Sequence, residues 1–88
     1  MSDYQPIDCD RHDYIEIACM HGYRLSIELI DGGNFTAKAV TTRNTKAEEF
    51  LVLTDSTAQS EVRLDRLLAI TPLNTDAVFG RVVLAHHR

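Results

Sequence analysis

The sequence predicts a mainly β protein with one N-terminal α-helix, its strands forming a small antiparallel barrel. Three observations carry that prediction. The hydrophobic period changes from helical to strand-like at Gly22. The segments after it are short, alternate apolar with polar residues, and are separated by turn-forming clusters. The chain has 88 residues, 44% of them apolar, with only two Pro and four Gly, which is the make-up of one ordinary globular domain. It divides into an acidic N-terminal segment and helix over about 1–22 and a β-barrel over about 23–86.

The helix is predicted over residues 10–21. Ile15, Ala18 and Cys19 fall at i, i+3 and i+4, with Ile17 and Met20 flanking that stripe. Asp10 is a credible N-cap, with Asp13 three residues later in the first turn, where the macrodipole favours negative charge. Gly22 stands where a glycine ends a helix in a left-handed turn. So short a helix is not stable alone and must dock its apolar stripe, leaving Asp13, Glu16 and His12 on the solvent face.

The first strand alternates Leu25, Ile27 and Leu29 with Arg24, Ser26 and Glu28. Asp31-Gly32-Gly33-Asn34 predicts a hairpin, because glycine and asparagine accept positive φ. Phe35, Ala37 and Ala39 form the inward side of the next strand, and the polar stretch Thr41–Lys46 then turns the chain. Phe50 to Thr54 reads as a more fully buried strand, and Asp55 to Ser60 as a loop. Glu61 to Leu64 alternates again. Asp65-Arg66-Leu67 fits one 3₁₀ turn, Leu68 to Thr71 a strand ended by Pro72, Thr75 to Val78 a loop, and Phe79 to Ala85 a last strand. One helix followed by five or six tightly connected strands has the layout of an Sm-like or SH3-like barrel; an OB fold is the alternative, although its helix usually falls mid-chain.

The charge is unevenly placed. Asp3, Asp8, Asp10, Asp13 and Glu16 face one base, Arg11, in the first sixteen residues; the other 72 hold eight acids and eight bases. The whole net charge of −4 therefore sits at the N-terminal end. Such a front repels nucleic-acid phosphates and suits a basic partner, or serves solubility alone. The N-terminal MSDYQPIDCD is acidic and polar, the reverse of a signal peptide, and no apolar run is long enough to span a bilayer, so the cytoplasm is the expected compartment. Cys9 and Cys19 are expected there as free thiols.

Catalytic and metal chemistry find little support. Cys9, His12, Cys19 and His21 are spaced C-x₂-H-x₆-C-x-H, which matches no compact zinc module, and His21 points away from the face shared by His12 and Cys19. No nucleophile elbow, phosphate loop or H-E-x-x-H motif occurs. Glu48-Glu49 is an adjacent pair whose side chains point to opposite faces on a strand. Lys46, Arg43 and Arg63 form no basic run, and His86-His87-Arg88 reads as a frayed end. No cofactor and no metal is expected, and an enzyme is not.

The segment Tyr4-Gln5-Pro6-Ile7-Asp8-Cys9-Asp10, followed by Asp13, Glu16 and Ala18-Cys19, resembles the N-terminal signature of the Rho-binding antiterminator family, Rof or YaeO. The Leu25–Gly32 segment, Ala37-Lys38-Ala39, Phe50-Leu51-Val52 and Arg63-Leu64-Asp65 extend the likeness over nearly the whole chain. The resemblance implies an Sm-like barrel with an N-terminal helix. It also implies a protein inhibitor of the termination helicase Rho, bound at the primary RNA site of Rho's N-terminal domain, which keeps RNA off. Carried over by position, Asp13 and Glu16 are the first contacts and Asp10 the next, unless Asp10 serves only as a cap; Lys46 aligns with a basic loop position of the family. The chain departs from the pattern at Arg11, where the enterobacterial relative carries an acid, and at His12, where it carries Tyr; Tyr14 is then a substitute aromatic contact or a packing residue. The rival reading is an Sm-like module that binds RNA directly, singly or as a ring, whereas the inhibitor is expected to be a monomer.

Overall fold

The computed structural model describes residues 9–85. The chain forms one helix and one antiparallel sheet: α1 (Cys9–His21), β1 (Arg24–Leu29), β2 (Asn34–Asn44), β3 (Glu49–Thr54), β4 (Gln59–Arg63), a 3₁₀ turn (Leu64–Arg66), β5 (Leu67–Pro72) and β6 (Val82–Val83). The strand order is β4-β3-β2-β1-β5-β6. The mainly β fold with one N-terminal helix is therefore as the sequence predicts, but the sheet is not closed into a barrel. Closure needs β4 to pair with the far edge, and there β6 already occupies β5, with Val83 opposite Ala69 and Val82 opposite Ile70.

The helix docks through Ile15 and Ala18, both fully buried, with Ile17 and Cys19 partly buried beside them. Met20 does not flank the core; it is 78% exposed. The helix starts at Cys9, so Asp10 lies in its first turn and is not the N-cap. The C-terminal end follows the prediction. Gly22 has φ +63°, its N–H donates to the carbonyl of Cys19 (3.2 Å), and the N–H of Tyr23 donates to that of Ala18 (2.9 Å). That pair of bonds is a Schellman motif, which answers helix carbonyls that would otherwise be unpaired.

Beneath the helix the core is made by Tyr23, Leu25 and Ile27 of the first strand region, Ala37 and Ala39 of β2, Leu51 and Leu53 of β3, then Leu64, Leu67, Ile70 and Leu84. In β1 the buried Leu25 and Ile27 alternate with more exposed neighbours, as a half-buried strand requires. The hairpin after β1 closes with Gly32 at φ +96° and the N–H of Gly33 on Asp31 Oδ1 at 2.9 Å.

Three strands differ from the prediction by more than a residue at an end. β2 runs on to Asn44, so Thr41–Asn44 is strand and only Thr45–Glu48 turns the chain. Threonine is polar but β-branched, and a polar strand with an exposed face reads as a loop when hydrophobic period alone is followed. A register shift between Ala39 and Thr41 leaves Val40 as a bulged residue without a partner on β3. β4 begins at Gln59 because Asp55 tightens the preceding turn: its Oδ1 accepts from the N–H groups of Thr57 (2.8 Å) and Ala58 (2.9 Å) and from the Thr57 hydroxyl (2.9 Å). The last strand is only Val82–Val83.

Candidate partner-binding face

On α1, Asp10, Asp13 and Glu16 recur every three residues and lie along one outer strip of the helix, opposite the buried Ile15 and Ala18. All three are exposed. Among the described residues, the side chains of Asp10 and Asp13 make no ion pair or hydrogen bond. Glu16 Oε2 lies 3.5 Å from His12 Nδ1, one helical turn back. Three carboxylates on one rigid face, all reachable from solvent, form a row that a basic surface can meet without rearrangement.

The other three predicted residues have different surroundings. His12 is not turned to solvent: its side chain is 22% exposed, and its Nε2 lies 3.1 Å from Glu49 Oε2 at the start of β3. The imidazole thus sits between Glu16 and Glu49 and ties α1 to the sheet. Tyr14 packs edge-on against Phe79, ring centres 5.0 Å apart, in the segment before β6, and keeps 37% of its surface exposed. Phe79 in turn meets Tyr23 at 5.9 Å, and Tyr23 stacks on His21 at 5.1 Å, so Tyr14 begins an aromatic row that fastens the β5–β6 connection to the helix. Lys46 is exposed in the Thr45–Glu48 turn, which is held by Thr45 Oγ1 accepting from the N–H of Glu48 (3.1 Å). The His12–Glu49 contact brings the strand residue three positions after Lys46 against α1. The motif from Tyr4 to Asp8 and the C-terminal His86-His87-Arg88 lie outside the described residues.

The charges of the sheet are arranged differently. Arg43 holds Glu61 through two hydrogen bonds of 2.7 Å and lies 4.6 Å over the Phe50 ring. Arg63 holds Asp65 through two bonds (2.7 and 2.8 Å) and Glu48 through a third (2.8 Å). Arg81 grips Glu28 at 2.8 and 3.0 Å, and Arg66 lies 3.5 Å from Asp31. The hydrogen bonds from the guanidinium groups lower the carboxyl pKa of Glu28 and Glu61. No basic run remains on the strands, because four of the arginines are spent on acids of the same chain.

Cys19 is a free thiol on α1, half-buried; burial, with the charge of Glu16 adding to it, pushes its pKa up to about 11. It is therefore protonated at neutral pH and a poor nucleophile. No group of three His, Cys, Asp or Glu side chains converges on a metal position among the described residues. None of their helices is long and apolar enough to cross a membrane.

A family model described as a modulator of Rho-dependent transcription termination (ROF) matches residues 6–84. The chain belongs to the ROF family. Membership makes modulation of Rho-dependent termination its role and implies Rho as its partner. Protein rof of Escherichia coli (strain K12) is 40% identical over 68 residues, 77% of this chain and 81% of that protein. Protein rof of Shigella flexneri matches to the same extent. The solved structure of YaeO bound to magnesium from Vibrio cholerae O395 superposes with a TM-score of 0.74 at 23% identity, covering 82% of this chain and 95% of that one. That likeness is one of fold.

Proposed function

We propose that this chain is an antiterminator that binds the N-terminal RNA-binding domain of Rho, occupies its primary RNA site and keeps RNA from loading. One observation carries the reading: among the described residues Asp10 and Asp13 of α1 have no partner and Glu16 meets a histidine alone, in a protein whose strands neutralise most of their own charge. An RNA site is basic, and carboxylates on a rigid face take the places of phosphates and pair with the same Arg or Lys. Asp13 and Glu16 are the primary contacts and Asp10 extends the row. Lys46, exposed in the neighbouring turn, is a secondary contact, and so is the part of Tyr14 that Phe79 leaves open. His12 acts by holding Glu16 and Glu49 in place.

The alternative, an Sm-like ring that binds RNA itself, finds less support. The sheet has no free basic run. The outer edge of β5, where a second copy's strand would add, is covered by β6 and by the N–H groups of Leu84 (2.7 Å) and Ala85 (3.2 Å), both donating to the carbonyl of Leu68. On this reading the protein acts as a monomer in the cytoplasm, with no catalytic step of its own.

Purified Rho and this protein should form a complex that weakens with salt and excludes a labelled RNA. Asp13→Lys should weaken it by more than about 1 kcal/mol, because the carboxylate meets a base across a desolvated contact. If the wild-type chain failed to bind Rho at low salt, or bound it together with RNA, the reading would be wrong.

A further inference from the structure

A second feature of the same helix is apolar. Met20 is 78% exposed one turn beyond Glu16, and across from it the bulged Val40 of β2 is 42% exposed. Between them run two adjoining depressions of about 340 and 370 Å³, which share Cys19, Met20 and Val40. Glu16 lines one of them and Lys38 the other, so the acidic row of α1 runs directly into this groove. The bulged position lies on its rim. Val40 follows the buried Ala39 and so lies on the exposed side of β2, where it has no partner on β3.

We infer that this groove is the apolar half of the docking face and that its occupant is the base-stacking part of Rho's RNA-binding surface. The inference rests on the proposed function and deepens it. Sites for single-stranded nucleic acid combine a basic track for phosphates with apolar or aromatic platforms for bases. A protein that excludes RNA from such a site covers both parts. Asp13 and Glu16 supply the anionic complement to the basic track. Met20, an unbranched thioether that adapts to flat aromatic surfaces, supplies the apolar complement beside them, backed by Val40. Charge order fits as well: Glu16 lines the depression next to the acidic row and Lys38 the far one, so a partner meets the groove in register only with its bases on the Glu16 side and its apolar platform over Met20 and Val40.

The test compares three variants against the Rho hexamer at low and at high salt. The double variant Met20→Ser/Val40→Ser changes exposed side chains only, and a thermal melt checks that it stays folded. It should lose on the order of tenfold in affinity at both salt concentrations, because the lost contact is apolar and unscreened. Met20→Leu keeps the apolar surface and should stay within about threefold of wild type. Asp13→Lys reports on the underlying reading and should lose affinity mainly at low salt. If the double variant stays within about threefold of wild type while Asp13→Lys binds poorly, the groove is not part of the face and the acidic reading stands. A loss by the double variant that vanishes at high salt, or a Met20→Leu chain as weak as the double variant, also overturns the groove. If wild type does not bind Rho at all, the proposed function itself falls.

Discussion

On the sheet, Glu28 is held by Arg81, Glu61 by Arg43, Glu48 and Asp65 by Arg63, and Asp31 by Arg66. On the outer face of α1, Asp10 and Asp13 have no such partner among the described residues, and Glu16 meets only a histidine, at 3.5 Å. The two regions carry similar side chains and use them in opposite ways. Pairs closed within the chain cancel at a distance and leave little field, whereas unanswered acids on one face project it outward and draw a basic partner in. Three of the acids behind the net charge of −4, Asp10, Asp13 and Glu16, thus share one face, placed there by the helix as well as by the sequence.

That contrast can be broken at its base by unseating the helix. Ile15 is fully buried and carries no charge, so Ile15→Ala removes the anchor and leaves every carboxylate in place. Urea unfolding should show a loss of about 3 kcal/mol. A loss under about 1 kcal/mol would mean that α1 does not depend on this contact. The next effect lies on the sheet. Arg63→Met leaves the carboxylate of Asp65, 6% exposed, without its bidentate partner and should cost about 2 kcal/mol of stability. Its Rho affinity should stay that of wild type. If Arg63→Met weakened Rho binding as much as Asp13→Lys does, the functional charge would belong to the sheet after all.

The smallest effect sharpens the comparison through pH. Glu28 and Glu61 are lowered from 4.5 by hydrogen bonds from Arg81 and Arg43, and Asp55 from 3.8 by the backbone N–H groups of Thr57 and Ala58. A carboxyl group whose folded pKa is depressed stabilises the fold above its unfolded value, and that contribution is lost as pH falls through the folded pKa. The urea midpoint should therefore decline as the solution is acidified below pH 4.5, the ordinary glutamate value. Replacing the three together (Glu28→Gln, Asp55→Asn, Glu61→Gln) should flatten that decline. An unchanged acid profile in the triple variant would show that these pairs carry no weight in the folded state.

Much of the scaffold is legible in the sequence. Ile15 and Ala18 announced the docked face by spacing, Gly22 announced the helix end because a left-handed turn needs it, and Leu25 and Ile27 announced β1 by strict alternation. The 3₁₀ turn falls at Leu64–Arg66, one residue before the Asp65–Leu67 that the sequence predicts. What hydrophobic period could not show was set by contacts distant in sequence. Thr41–Asn44 is strand because β3 pairs with it, and Val40 is bulged because the two registers on either side do not match. An open sheet replaced the expected barrel because β6 took the edge that closure required. At the candidate site, the acidic row was readable from i, i+3 spacing. The hold of Glu49 on His12 spans 37 residues and left no local signal. The exposure of Met20 was hidden because an apolar residue beside an apolar stripe reads as part of it. An apolar side chain at the end of the polar strip, with a second one across the neighbouring strand, is the signal that would have found it.

The joint between helix and sheet has a consequence for affinity. Only Gly22 and Tyr23 separate α1 from β1, and Tyr23 is bound on both sides: its N–H donates to Ala18 and its carbonyl accepts from the N–H of Ala39 at 2.9 Å. Its hydroxyl accepts from the N–H of Val78 at 3.0 Å. With the connector fixed this way, α1 is held at one angle to the sheet before any partner arrives. Binding then costs little conformational entropy, since no segment of this face has to be ordered at the moment of contact. A chain of 88 residues with a face this small can afford few contacts, and a preset geometry lets each of them count in full toward the residence time of the complex.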